Sequence, residues 1–309
     1  MGSTGKPLII DIHAHINAPD EVLAPFRDGP PPPSSGGGLT DKSLAAILND
    51  PQAKIDDMDA QGIDMAVLTP APPRGIYRET EDKAAAIANA VNDFAAGVAA
   101  QFPDRLVTFG IIPMQHAAAS VAVMQRGVKE LGLKGFRIAT NIAGLELDNP
   151  GFEDIYAAAE ELDAMIYTHP QGFTQPDRLA DFNMANVVGN PLDSTLSVSH
   201  LIFGGVLERH PRLKVFISHG GGYFPFYLGR FDHAFEARAE CRTHISKPPS
   251  EYMKRLYFDT VVFKPEMIAY LAQSVGVEKI MMGTDRPYDM GESEPLALVD
   301  AVPGLSDAD

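Results

Sequence analysis

Short runs of aliphatic and β-branched residues alternate along the chain with longer segments whose apolar positions recur every three or four residues. The short runs predict eight strands: Leu8–Ile12, Asp64–Leu68, Leu106–Ile112, Gly135–Ala139, Met165–Thr168, Lys214–Ser218, Leu256–Asp259 and Lys279–Met282. The longer segments predict helices over Ala53–Gln61, Glu81–Gln101, Ala117–Leu131, Phe152–Leu162, Leu192–Arg209, Phe224–Phe235 and Lys264–Val275. Within Glu81–Gln101, Ala84, Ile87, Ala88, Val91, Phe94 and Ala95 fall on one stripe, the face that packs on a sheet. Alternating strands and helices imply an α/β fold with a parallel sheet, and eight such units imply a (β/α)8 TIM barrel forming one domain over residues 1–309. A small insertion at 20–50, with Pro30–Pro33 and Gly36–Gly38, reads as a loop at the mouth of the site, and Gln171–Pro191 reads as a second long loop. With so few residues after the last strand, the closing helix should be short or missing.

Composition agrees with this reading. The 309 residues suffice for a barrel of roughly 250 residues with insertions. The formal net charge of −16 argues against nucleic acid as a partner, because no face easily neutralises several phosphates against that background. A small anionic substrate remains compatible, since a few arginines and a metal can dominate one pocket. The single cysteine, Cys241, excludes an intrachain disulfide and a cysteine-rich zinc site, and suggests a cytoplasmic location. No apolar run approaches the ~20 residues of a membrane span, and Met1–Pro7 has no apolar core of a signal peptide.

Chemistry concentrates at strand ends. In Leu8-Ile-Ile-Asp-Ile-His-Ala-His15, His13 and His15 are two residues apart and face the same side of the first strand. Two neutral imidazoles there make half of a zinc site. His169 ends the fifth strand, His219 the sixth and Asp285 the eighth. All strand C-termini of a parallel barrel surround one opening, so these distant residues converge there. His116, His200, His210, His233 and His244 fall on predicted helices or loops away from that opening.

This pattern resembles the amidohydrolase superfamily. The runs His219-Gly-Gly-Gly-Tyr-Phe-Pro-Phe-Tyr-Leu-Gly-Arg230 and Gly283-Thr-Asp-Arg-Pro-Tyr-Asp-Met-Gly-Glu292 resemble its decarboxylase branch, typified by 2-amino-3-carboxymuconate-6-semialdehyde decarboxylase. Ile55–Asp64 and Ser199–Arg209 fit the same branch, so the likeness extends over nearly the whole chain. It implies that His13, His15, His169 and Asp285 hold a metal, Zn²⁺ with Mn²⁺ as the alternative for mixed N/O ligands. His219, as acid/base beside the metal, and Asp285 are then the catalytic residues. Arg230 would lie near the substrate carboxylate, in its own or a neighbouring subunit's site of a homodimer. Arg137 stands on the fourth strand where two-metal relatives carry a bridging lysine, which favours one metal over two.

Two departures concern the pocket. The branch grips its substrate with an arginine in the insertion after strand one, and Thr40–Pro51 has none. A pocket tryptophan of the branch aligns near Asn186, and this chain contains no tryptophan. Arg74, Arg137 and Arg286 are the replacement candidates for holding a carboxylate bidentately. The implied function is metal-dependent, non-oxidative decarboxylation of a small unsaturated or aromatic acid. Hydrolysis or hydration of a related acid or lactone is the alternative, and a barrel that binds without chemistry a third.

Overall fold

The structure is a computed structural model that describes residues 8–27, 46–171 and 176–306. Among the described residues nine parallel strands form the frame: β1 (Ile10–Ile16), β2 (Met65–Pro70), β3 (Leu106–Thr108), β4 (Gly110–Ile111), β5 (Gly135–Ile138), β6 (Met165–Thr168), β7 (Val215–Ile217), β8 (Tyr257–Asp259) and β9 (Ile280–Met281). They pair in sequence order as β1-β2-β3 and β4-β5-β6-β7-β8-β9. Between the two sheets stands only Phe109, whose N–H donates to Leu68 O (3.0 Å). At the other side Ile12 N–H donates to Met282 O (2.9 Å), Asp285 N–H to His13 O (2.8 Å) and His15 N–H to Arg286 O (3.1 Å). The segment after β9 thus lies parallel beside β1, and the strands form the barrel expected from the sequence.

Side-chain parity sorts the core into two layers. Ile12, Val67, Phe109, Tyr167 and Phe216 pack together inside the barrel. Their strand neighbours Ile166, Val215 and Ile217 face outward into the layer shared with the helices. Both faces are covered, as all-parallel sheets require. The described helices of six residues or more are α1 (Pro51–Gln61), α2 (Glu81–Ala99), α3 (Ala117–Lys129), α4 (Glu153–Glu161), α5 (Asn190–Phe203), α6 (Leu228–Ala237), α7 (Pro265–Val275) and α8 (Pro295–Asp300). Asp50 caps α1 by accepting from Gln52 N–H, Pro51 opens it, and Gly62 ends it at φ 72°. In α2 the buried stripe is Ala84, Ile87, Ala88, Val91, Asn92, Ala95 and Val98. It holds every position expected from the periodicity except Phe94, which packs half-buried against a neighbouring cluster.

Four elements depart most from the sequence reading. The first strand begins at Ile10 and runs to Ile16, because Ala14, His15 and Ile16 pair with Leu68, Thr69 and Pro70. The third strand breaks at Phe109, where the Asn92 amide takes over the backbone of Ile111, donating to its O (3.0 Å) and accepting from its N–H (2.7 Å). The helix expected over Leu192–Arg209 stops at Phe203 and resumes at Val206, with Gly205 between them at φ 74°. The helix expected from Phe224 starts at Leu228, after a 3₁₀ turn over Pro225–Tyr227. The closing helix α8 is short, six residues. Pro30–Pro33 and Gly36–Gly38 lie outside the described residues. Of the second long loop, the described part includes a 3₁₀ turn at Pro176–Arg178 and a π-helical turn at Ala185–Gly189 that leads into α5. No described helix is long and apolar enough to cross a membrane.

Candidate metal centre and active site

The last residues of β1 carry His13 and His15 on one face, both buried. A carboxylate beneath fixes this end of the strand. Asp11 accepts from the N–H of His13 (3.0 Å) and from the N–H (3.0 Å) and hydroxyl (2.6 Å) of Thr284, tying β1 to the segment that carries Asp285. Asp285 itself sits at φ 57°, a left-handed conformation that costs a non-glycine residue about 1–3 kcal/mol and recurs at functional sites.

One ligand-capable atom from each of His13, His15, His169 and Asp285 lies within 4.8 Å of the other three. His15 Nε2 is 2.7 Å from Asp285 Oδ1, and His13 Nε2 is 3.2 Å from His15 Nε2. His169, just beyond β6, has its Nδ1 against Pro170 O (2.8 Å), which leaves Nε2 buried with no hydrogen-bond partner. A buried, unpartnered nitrogen facing two imidazoles and a carboxylate fits a bound cation. Ligands of a tetrahedral zinc at ~2.0–2.1 Å lie roughly 3.4 Å apart, so this cluster needs little rearrangement to close on one ion.

The electrostatics point the same way. Burial, reinforced by the Arg137 guanidinium, holds His15 down to about 3 and His169 well below the usual imidazole range, so both are neutral. Burial also opposes charge on His13, but Asp285 and Asp259 outweigh it and raise the group to about 9. Burial likewise works against ionised Asp285, yet His13 and its hydrogen bonds keep the carboxyl well below its ordinary range. The cluster therefore offers two neutral imidazoles and a carboxylate, while the two carboxylates beside His13 keep it protonated, and a bound cation would have to displace the proton on its Nε2.

His219 follows β7 and projects beside the four, with Nε2 3.4 Å from Asp285 Oδ2 and its ring 4.9 Å from that of His169. It has φ 55°, and Gly220, Gly221 and Gly222 continue the left-handed run. Glycine is required at Gly222, where a Cβ would strike the Pro191 carbonyl oxygen. One residue that the sequence reading did not single out holds this turn. Asp259, at the end of β8 and fully buried, accepts from His219 N–H (2.9 Å), Gly220 N–H (2.8 Å) and Val261 N–H (3.1 Å), and pairs with His13 Nδ1 (2.7 Å). Its only signal in the sequence was its place at a strand's C-terminal end.

A cavity of about 330 Å³ opens from His219 and Asp285, walled by Phe226, Val262, Phe263 and Met267 among others. Asn186 is on its wall. None of the four candidate arginines is. Arg74 is exposed, and so is Arg230 on α6. Arg286 forks onto Asp57, with Nε 3.0 Å from Oδ2 and Nη2 2.5 Å from Oδ1. Arg137 is buried behind the ligands, with Nη1 3.0 Å from His15 Nδ1 and Nη2 2.9 Å from His169 Nδ1. It points inward from β5, so it reaches the imidazoles that crowd the barrel's axis and not the cavity beyond them.

The sequence matches the amidohydrolase family over residues 10–309. The chain belongs to the amidohydrolase family. This amidohydrolase is 34% identical over 259 residues to 2-amino-3-carboxymuconate-6-semialdehyde decarboxylase from Dictyostelium discoideum, covering 84% of this chain and 72% of that protein. It is 26% identical to 2-keto-4-carboxy-3-hexenedioate hydratase from Sphingobium, covering 90% of this chain and 83% of that protein. Among solved structures it resembles 5-carboxyvanillate decarboxylase from Novosphingobium aromaticivorans, complexed with manganese and 4-hydroxy-3-methoxy-5-nitrobenzoic acid. That likeness has a TM-score of 0.85 and 26% identity, and covers 100% of this chain and 93% of that one.

Proposed function

We propose that this amidohydrolase is a metal-dependent, non-oxidative decarboxylase of a small aromatic acid. The carrying observation is the proton-transfer group His219 standing between a four-ligand cluster and an apolar cavity of one-ring size. His13, His15, His169 and Asp285 would hold one ion, zinc as the first choice and manganese as the alternative that the Novosphingobium relative's complex raises. When bound, the ion supplies Lewis-acid polarisation of a substrate oxygen.

The remaining work falls to side chains. The apolar walls desolvate the ring and hold it against His219. His219 gives a proton to the ring carbon that bears the carboxylate, forming a carbon–hydrogen bond. The carbon–carbon bond then breaks, its electron pair returns to the ring and carbon dioxide leaves. His219 recovers its proton from solvent, so one proton is consumed per turnover. Asp259 keeps His219 aimed throughout by holding two successive backbone N–H groups of its turn.

A hydratase is the second reading, favoured by the Sphingobium relative. The metal-loaded protein incubated with a panel of aromatic and unsaturated acids separates the two: the proposal predicts carbon dioxide release, and water addition without carbon dioxide would replace it with hydration. The proposal includes a homodimer, supported by the exposed aromatic pair Phe226 and Tyr270, stacked at 5.0 Å, with exposed Tyr227 and Arg230 following Phe226 in the chain. It places the reaction in the cytoplasm.

A further inference from the structure

Two groups of opposite charge stand behind the metal cluster. Asp259 pairs with His13 Nδ1 (2.7 Å), the arrangement that makes an imidazole a stronger ligand through its other nitrogen. Arg137, buried on β5, turns its fork to the other two imidazoles. Its Nη1 is 3.0 Å from His15 Nδ1, and its Nη2 is 2.9 Å from His169 Nδ1. Nη1 also donates to Thr69 O (3.3 Å), and Nε–H is buried with no hydrogen-bond partner. A guanidinium has donors, no acceptor and a permanent charge.

That polarity sets the tautomer of His15. Facing a group that can only donate, Nδ1 makes a hydrogen bond only by accepting. The ring proton then sits on Nε2, where Asp285 Oδ1 accepts it (2.7 Å). Nε2 is also the nitrogen that faces His13 Nε2 and the centre of the cluster. To take a cation there, His15 must move this proton to Nδ1, against the Arg137 N–H, or lose it altogether. His169 differs, because Pro170 O is an acceptor for its Nδ1–H (2.8 Å) and its Nε2 is without a partner. On that ring the guanidinium acts through its charge.

We propose that Arg137 is a positioning residue that loosens the metal centre: it holds His15 in the tautomer that cannot bind a cation and sets a positive charge behind His15 and His169. The proposal rests on the four-ligand site of the decarboxylase reading. It adds that this chain holds its ion less tightly than the same four ligands would without the guanidinium. Asp259 and Arg137 thus pull the affinity in opposite directions from the two sides of the cluster.

The test measures Zn²⁺ affinity by chelator competition in the full chain and in Arg137→Met and Arg137→Gln. Both neutral variants should bind zinc more tightly, by roughly 10–100-fold, the usual reach of a group behind a ligand but with the sign reversed. A merely structural role would loosen the imidazoles and weaken binding instead. Equal or weaker binding in the variants overturns the proposal. Nitrogen NMR of the metal-free, unaltered protein gives a second reading that needs no variant: His15 should be the Nε2–H tautomer, and finding it as Nδ1–H overturns the proposal. Zinc binding by none of the proteins overturns the metal site and this proposal with it. Tighter binding in the variants with no carbon dioxide released from any acid supports the role of Arg137 and removes only the decarboxylase reading.

Discussion

At the scale of single residues, the site depends on which groups orient the imidazoles. His13 is backed by a carboxylate, Asp259, at 2.7 Å, while His15 and His169 are backed by the guanidinium of Arg137. Because Asp259 also holds the turn of His219, its loss should disturb metal binding and proton transfer together. Asp259→Asn keeps the volume but turns an N–H towards donors. It should weaken metal affinity by 10–100-fold, the usual effect of removing such a partner, and lower turnover even at saturating metal. Chelator competition and kcat at saturating metal measure the two effects; an Asn variant with wild-type values of both would remove Asp259 from the account. Sequence alone marked His13, His15, His169, His219 and Asp285 because histidines are few and strand ends converge. Asp259 was one carboxylate among 41 aspartates and glutamates. Arg137 was visible as a charge on a barrel strand, but the sequence carries no sign of whether such a charge meets substrate or imidazole.

At the scale of elements, periodicity located the strands and helices but not their interruptions. The break at Phe109 arises because a side chain, Asn92, replaces a neighbouring strand for Ile111. No local pattern announces that substitution. Gly204–Gly205 did carry a local signal for the stop after α5, which the continuing apolar pattern outweighed. Beyond that stop, Arg209 donates to Glu153 through Nε (2.8 Å) and Nη2 (3.0 Å), and His210 Nε2 lies 2.8 Å from the same carboxylate, joining the segment before β7 to the start of α4. The Arg209 guanidinium holds the Glu153 carboxyl below its ordinary range. A depressed carboxylate contributes stability that is present above its unfolded value near 4.3 and is lost as pH falls through the lower folded value. Glu153→Gln should therefore lower Tm at pH 7, modestly because the group is part-exposed, and the gap should narrow as the pH falls below the unfolded value and through the lower folded one. Thermal melts of both proteins across that range check it; a gap that persists in acid would show that packing, not charge, joins these elements.

At the scale of the whole molecule, the parallel barrel brings residues from β1, β6, β7, β8 and the segment after β9 to one end, where the cavity also opens. The proposed homodimer belongs to this scale, and light scattering at micromolar concentration should give twice the chain mass; a monomer would withdraw both the dimer and any role of Arg230 across subunits. The central claim is that four residues hold the metal while His219 moves the proton. Metal content and carbon dioxide release, determined on the same samples of metal-loaded wild-type protein and His219→Ala, test it most directly. The account predicts one ion per chain in both and a loss of roughly 10²–10⁴-fold in release for the variant, the size of general acid–base catalysis. An emptied site in His219→Ala, or full turnover without the imidazole, would contradict it.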